Sequence, residues 1–200
     1  MSVLKLRGFE IHKGLLDSAE QLTLLEAVRD IAKVAPVFSP MTPYGKQMSV
    51  QMTSAGMFGW YSDSHGYEYR RVHPNGMPWP VIPAEVLGIW EKVSGVERLP
   101  ECCLVNFYGQ DSRMGLHQDR DEASFEYPVV SVSLGDEGLF RVGGTDRRGK
   151  TDSIWLQSGD VVVMGGEARL AYHGVDRIRF GSSNLLPNSG RINLTLRVVN

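Results

Sequence analysis

Apolar positions along this 200-residue chain change period from one region to the next. Near the start, Val3-Leu4-Lys5-Leu6 reads as a short strand, followed by a loop to about residue 16. Leu24, Leu25, Val28, Ile31 and Ala32 then recur at helical spacing. Asp17 or Ser18 can cap the start of that run and Pro36 ends it, so an amphipathic helix over 18–34 is expected to lie on a sheet. Over residues 39–80 the periodicity lapses, and Met, Tyr and Trp alternate with Pro, Gly and polar residues. Only Met48-Ser49-Val50-Gln51-Met52-Thr53 alternates like a strand there, and Asn75-Gly76 marks a turn. Pro83 suits the first turn of a second helix with Val86, Leu87, Trp90 and Val93 on its stripe.

Beyond Pro100 the period shortens to two. Strands are expected at 103–108, 129–134, 139–142, 153–156, 161–164, 170–172 and 191–199, with hairpin turns at Asp136-Glu137-Gly138 and Arg148-Gly149. Many short antiparallel strands behind two N-terminal helices predict a mostly β fold with a jelly-roll core. No linker or repeat interrupts the chain, so residues 1–200 read as one domain, with a core over 101–199.

Composition narrows the class. An apolar fraction of 42% and a charged fraction of 22% describe a globular chain with a full core. The net charge of −2 lacks the basic excess of a non-specific nucleic-acid binder. Cys102 and Cys103 are adjacent, without the spacing of a zinc knuckle or a disulfide framework. No apolar run suggests a signal peptide or membrane span, so a cytoplasmic monomer is expected.

Chemistry concentrates in three places. In extended backbone, His117 and Asp119 project from the same face and can present an imidazole and a carboxylate to one point. His173, on a later segment, can complete a two-histidine, one-carboxylate set of the kind that holds non-haem Fe(II). In the terminal strand, Arg191, Asn193, Thr195 and Arg197 share one face while Ile192, Leu194, Leu196 and Val198 share the other. Two guanidiniums on an enclosed face require an anion, although the backbone rise puts them roughly 20 Å apart. Each feature has a plainer explanation on its own: His12, His65 and His73 are read as core or surface residues, Asp119 could serve a turn, and Gly174 could mark a simple bend.

Together, Asn106-Phe107-Tyr108, Leu116-His117-Gln118-Asp119-Arg120-Asp121-Glu122, Tyr172-His173-Gly174-Val175 and Arg191-Ile192-Asn193-Leu194-Thr195-Leu196-Arg197 resemble the AlkB family. Its members are Fe(II)- and 2-oxoglutarate-dependent dioxygenases that repair alkylated nucleic acid. Upstream, Gly59-Trp60, Gly66-Tyr67 and Pro78-Trp79-Pro80 resemble the nucleotide-recognition lid of the bacterial members, over residues 38–80. The resemblance implies a double-stranded β-helix with His117, Asp119 and His173 as iron ligands. It implies a 2-oxoglutarate pocket of Asn106, Tyr108, Arg191, Asn193 and Arg197, with Arg191 on the distal carboxylate and Arg197 nearer the metal. Trp60 and His117 would sandwich the damaged base, with Met52 beside it, Asp121 at its edge, and Tyr67 on a backbone phosphate. The carboxylates of Asp121 and Glu122 and the face of Trp60 would favour cationic 1-methyladenine and 3-methylcytosine over neutral bases.

The expected reaction is oxidative demethylation, consuming O2 and releasing formaldehyde, succinate and CO2. Single-stranded DNA is the expected substrate, because flipping a base from a duplex costs a few kcal/mol; duplex DNA and RNA are further candidates. Gly115, Met164 and Ala171 depart from the better-known members and leave the breadth of the base pocket open. Alternatives are an oxygenase acting on tRNA or on a protein or lipid substrate, and a non-catalytic binding module. Gly143-Gly144-Thr145-Asp146-Arg147-Arg148-Gly149-Lys150 reads as a solvated hairpin tip whose three cations, like Lys46, Arg70 and Arg71, could meet phosphates.

Overall fold

The computed structural model describes residues 2–42 and 44–200. In chain order the elements are β1 (Ser2–Leu6), β2 (Phe9–Lys13), α1 (Ser18–Val34), β3 (Gln51–Gly56), β4 (Gly59–Asp63), β5 (Gly66–Arg70), α2 (Ala84–Val93), β6 (Cys102–Tyr108), β7 (Met114–His117), β8 (Val129–Gly135), β9 (Glu137–Val142), β10 (Asp152–Leu156), β11 (Val161–Met164), β12 (His173–Arg179) and β13 (Arg191–Arg197). A seven-stranded sheet in the order β1-β2-β11-β8-β13-β6-β3 faces a four-stranded sheet, β10-β9-β12-β7, across the jelly roll. The pair β4–β5 stands apart as a two-stranded hairpin.

The alternation of β13 decides which chemistry points where. Its Ile192, Leu194 and Leu196 join Leu24, Leu25, Val28 and Ile31 of α1 and Val86, Ile89 and Trp90 of α2 in one core on the helix side of the large sheet. That leaves Arg191, Asn193, Thr195 and Arg197 on the inner face, opposite Tyr108, Asn106, Leu104 and Cys102 of β6. α1 starts at a capping box in which Asp17 and Glu20 each accept the other's backbone N–H. α2 starts after Pro83, which is its N-cap.

Several expectations are corrected. The loop expected after β1 is instead a hairpin: Arg7 and Gly8 take positive φ, and Phe9 and Ile11 of β2 bury completely against the inner core. The sequence around Asp136 is not a hairpin turn, because β8 and β9 belong to different sheets. It is a corner where the Asp136 carboxylate, fully buried, accepts the backbone N–H groups of Gly181, Ser183 and Gly190. Residues 170–172 are not a strand. A 3-10 turn at Gly166–Ala168 precedes them, and the strand begins only at His173. Just before them the buried side chain of Arg169 donates to the Tyr127 and Asp119 carbonyls.

Within 39–80, residues 59–70 form a regular hairpin where mostly irregular structure was expected. Trp79 lies on the backbone of Gly59, where a Cβ would fall 2.2 Å from the ring, and donates its indole N–H to the Arg70 carbonyl. The hairpin base is thereby clamped to the domain. The β9–β10 hairpin and the Asn75-Gly76 turn lie where the sequence places them. No helix among the described residues is long and apolar enough to cross a membrane.

Candidate active site

The two sheets enclose a cavity of about 390 Å³. Its lining includes Met52, Trp60, Tyr67, Asn106, Tyr108, His117, Asp119, Asp121, His173, Arg191, Asn193 and Arg197, so every candidate site residue except Glu122 meets there.

His117 ends β7 and His173 begins β12, and the two are direct cross-strand partners with ring centroids 4.6 Å apart. Asp119 lies just past β7 in irregular backbone, not in the extended strand expected. Its carboxylate is nevertheless drawn inward, because Arg197 Nη2 donates to its Oδ1 at 2.9 Å. His117 Nε2 stands 3.7 Å from Oδ1 and His173 Nε2 stands 3.7 Å from Oδ2. The Nδ1 atoms face the carbonyls of Gly115 and Ala171 at 2.9 and 3.1 Å, so each Nδ1–H donates there and each Nε2 lone pair is free.

These three residues fit a divalent metal. One ligand atom from each lies within 4.8 Å of the others, and the buried Oδ2 of Asp119 has no hydrogen-bond partner. Burial would raise the Asp119 carboxyl, but Arg197, His173 and His117 outweigh it and hold it far below the usual carboxylate range. Burial, followed by the neighbouring His117, pushes the His173 imidazole down to about 4, so at neutral pH it is the uncharged ligand form.

The inner face of β13 also fits a dicarboxylate. Arg191 is 1% exposed, and no carboxylate among the described residues lies within ion-pair distance of it. Its Nη2 donates to Ser133 Oγ at 2.7 Å and its Nη1 reaches the Asp136 and Leu156 carbonyls only at 3.4 and 3.5 Å, while its Nε has no partner. A buried guanidinium so poorly matched implies an incoming anion. Burial pulls its pKa below the ordinary value and pushes the Tyr108 phenol beside it up to about 12, so the phenol keeps its proton. Asn193 donates to Ser131 Oγ and the Val132 carbonyl, and Thr195 donates to Asn193 Oδ1, which fixes the floor. The Oδ1 of Asn106 is buried without a partner. Arg191 and Arg197 thus line one cavity, although Arg197 already pairs with Asp119.

At the mouth, Trp60 stacks on Tyr67 with centroids 5.4 Å apart and planes inclined by 22°. Its indole N–H donates to Asp121 Oδ2 at 3.3 Å. Arg147 lines the cavity, whereas Arg148 and Lys150 are exposed on the hairpin tip. Arg70 lies over Tyr61 and pairs with Asp63, so it is already engaged. His73 is buried, its Nδ1 accepting from Asn75 N and its Nε2 facing the Pro36 carbonyl, in keeping with a structural role.

Glu122 is not brought to the cavity; it is buried among Arg169, Arg197 and Tyr69. No role for Arg169, Ser131 or Ser133 was expected from the sequence. Nothing local marks an arginine after Gly-Glu-Ala as buried, and alternation alone does not say which serines face inward.

Residues 8–197 match the model of the 2OG-Fe(II) oxygenase superfamily. The alpha-ketoglutarate-dependent dioxygenase AlkB homolog of Caulobacter vibrioides is 53% identical over 191 residues, spanning 95% of this chain and 87% of that protein. The alpha-ketoglutarate-dependent dioxygenase AlkB of Escherichia coli is 37% identical over 192 residues, 94% of this chain and 88% of that protein. A solved structure reported as "The structure of OsALKBH1" superposes with a TM-score of 0.83 at 30% identity, covering 98% of this chain and 100% of that one. With candidate metal ligands and a buried, carboxylate-free arginine facing one cavity, this chain belongs to the AlkB family of Fe(II)- and 2-oxoglutarate-dependent oxygenases.

Proposed function

We propose that this chain oxidatively demethylates N-alkylated bases, 1-methyladenine and 3-methylcytosine foremost, in DNA that is preferably single-stranded, with RNA as a further substrate. The observation that carries this reading is the single cavity joining the ligands His117, Asp119 and His173 to a mouth walled by Trp60. With Fe(II), 2-oxoglutarate and O2 bound, such a site supplies oxidation of the N-methyl C–H bond coupled to decarboxylation of the co-substrate to succinate and CO2.

The chain's own residues do the rest. Arg191, with Tyr108 beside it, binds the distal carboxylate of 2-oxoglutarate, and Asn106 and Asn193 line its path. Trp60 offers one face to a flipped base with His117 opposite, and Met52 bounds the space between. Because Tyr67 stacks on Trp60 and Asp121 accepts its indole N–H, the aromatic wall is formed before substrate arrives. Asp121 adds a negative charge where a cationic base sits. Residues 38–80 act as the nucleotide-recognition lid over this mouth. We further place the protein in the cytoplasm as a monomer, a compartment where its reduced, buried Cys102 and Cys103 persist.

Mass spectrometry of a short oligonucleotide carrying one N-methylated base, incubated with protein, Fe(II), 2-oxoglutarate and air, tests the reading. Loss of one methylene mass with stoichiometric formaldehyde is expected. Succinate formed without any change in the oligonucleotide would move the chain to an oxygenase with another substrate.

A further inference from the structure

Behind the metal ligands lies a closed electrostatic cluster. Asp119, Glu122, Arg169 and Arg197 are 8%, 6%, 4% and 6% exposed, two charges of each sign in one dry region. Burying a charge is costly unless it is paired, and each of these four has an opposite charge beside it.

The partners form a circuit that ends on Asp119. Arg197 holds its carboxylate at Oδ1, and Arg169 Nη1 donates to its backbone carbonyl at 2.6 Å. Both arginines converge on Glu122: Arg169 Nη2 donates to Oε2 at 3.0 Å, and Arg197 Nε lies 3.4 Å from Oε1. A third group reaches Glu122 from the lid hairpin, where the Tyr69 hydroxyl on β5 donates to Oε1. Two hydrogen-bond donors and the nearby Arg197 guanidinium therefore surround this buried carboxylate, and it does not line the cavity. It is a counter-ion for two arginines and has no free face for a base.

We propose that Glu122 and Arg169 are positioning residues for the metal-binding carboxylate, and that Tyr69 ties the lid hairpin to the same network. Glu122 keeps both guanidiniums in place, they hold the side chain and the backbone of Asp119, and loading of the metal is felt at β4–β5. This rests on Asp119 being a metal ligand and does not depend on the identity of the base.

The test is Mn(II) titration of the metal-free full chain by calorimetry, with hydrogen exchange of amides 59–70 before and after Mn(II). Glu122→Gln and Arg169→Met are expected to weaken Mn(II) binding by about tenfold or more, on the scale seen for groups that orient metal ligands. Arg169→Lys recovers part of the loss, because its one ammonium nitrogen keeps the charge but cannot span the three acceptors that the guanidinium reaches. Glu126→Gln, an exposed carboxylate nearby, serves as control and binds as the wild type does. Mn(II) slows exchange in 59–70 of the wild type, and Tyr69→Phe retains Mn(II) binding but loses that slowing.

Wild-type Mn(II) affinity in folded Glu122→Gln and Arg169→Met would overturn the proposal. So would a raised KM for methylated oligonucleotide at unchanged Mn(II) affinity, which would return Glu122 to the base. Should Glu122→Gln fail to fold, Arg169→Lys and Tyr69→Phe decide, because each leaves Glu122 in place; wild-type behaviour of both refutes the circuit. Inactivity on every methylated oligonucleotide, with these Mn(II) effects intact, would refute the proposed substrate and leave the positioning roles standing.

Discussion

His117 and His173 face each other as direct partners across β7 and β12, and Gly174, the residue after His173, is what lets those strands close. A Cβ at Gly174 would lie 2.5 Å from the Met114 carbonyl oxygen and 2.9 Å from that of Gly115. The separation of the two imidazoles therefore depends on a side chain that is not there.

Gly174→Ala is accordingly expected to force the strands apart at a cost of about 1–3 kcal/mol, the usual scale for overpacking. Mn(II) affinity falls with it, because His117 moves relative to His173. Thermal melting and Mn(II) calorimetry check both parts. A variant that is destabilised but binds Mn(II) normally would show that the close approach serves packing alone.

Arg191→Met removes a buried guanidinium that has no carboxylate in ion-pair contact among the described residues. The metal-free variant is expected to be as stable as the wild type or about 1 kcal/mol more stable, as when poorly matched buried charges are replaced by apolar groups. Saturating 2-oxoglutarate with Mn(II) stabilises the wild type by about 2.7 kcal/mol at a hundredfold excess over Kd, and this gain is lost in the variant. Melting curves with and without co-substrate give the answer, and a retained shift would assign the carboxylate to another residue.

The metal-free protein should lose stability on mild acidification. The folded pKa of His173 is pushed down to about 4 from an unfolded value near 6.5. Between those values the unfolded chain binds more protons, so stability falls as pH drops from about 6.5 towards 4, by about 3 kcal/mol at most, and is flat above that window. Asp119, depressed below the carboxylate range, contributes its loss only at still lower pH. Urea unfolding of wild type and His173→Gln across pH 4–7 separates the histidine's share, because the variant lacks the slope. Mn(II) affinity of the wild type weakens over the same range through proton competition.

Asp121→Asn keeps an oxygen that can accept from the Trp60 indole but removes the charge. Discrimination of 1-methyladenine from adenine should fall by about two- to tenfold, the scale of a partly solvated charge interaction. Competition between modified and unmodified oligonucleotides measures it. Unchanged discrimination would make the selectivity a matter of shape.

Much of this molecule can be read locally. The alternation of β13 separates Ile192, Leu194 and Leu196 from Arg191, Asn193, Thr195 and Arg197, and the sheet obeys that division residue by residue. α1 follows from its stripe, a cap at Asp17 or Ser18 and Pro36, and His117, Asp119 and His173 were legible as a set. These features depend on period and residue type, which a chain carries before it folds.

Contacts between distant segments were settled only by packing. Asp119 points inward because Arg197 draws it there, not because it continues a strand, and β12 starts only at His173, after a turn in which Arg169 buries its side chain. Glu122 follows Asp121 in sequence, yet one carboxylate reaches the mouth and the other disappears between two arginines. By itself the sequence determined which faces are apolar and which residue types could bind a metal and a dicarboxylate. The tertiary structure decided which charges neutralise one another, since burial makes every ion seek a partner and that partner lies dozens of residues away.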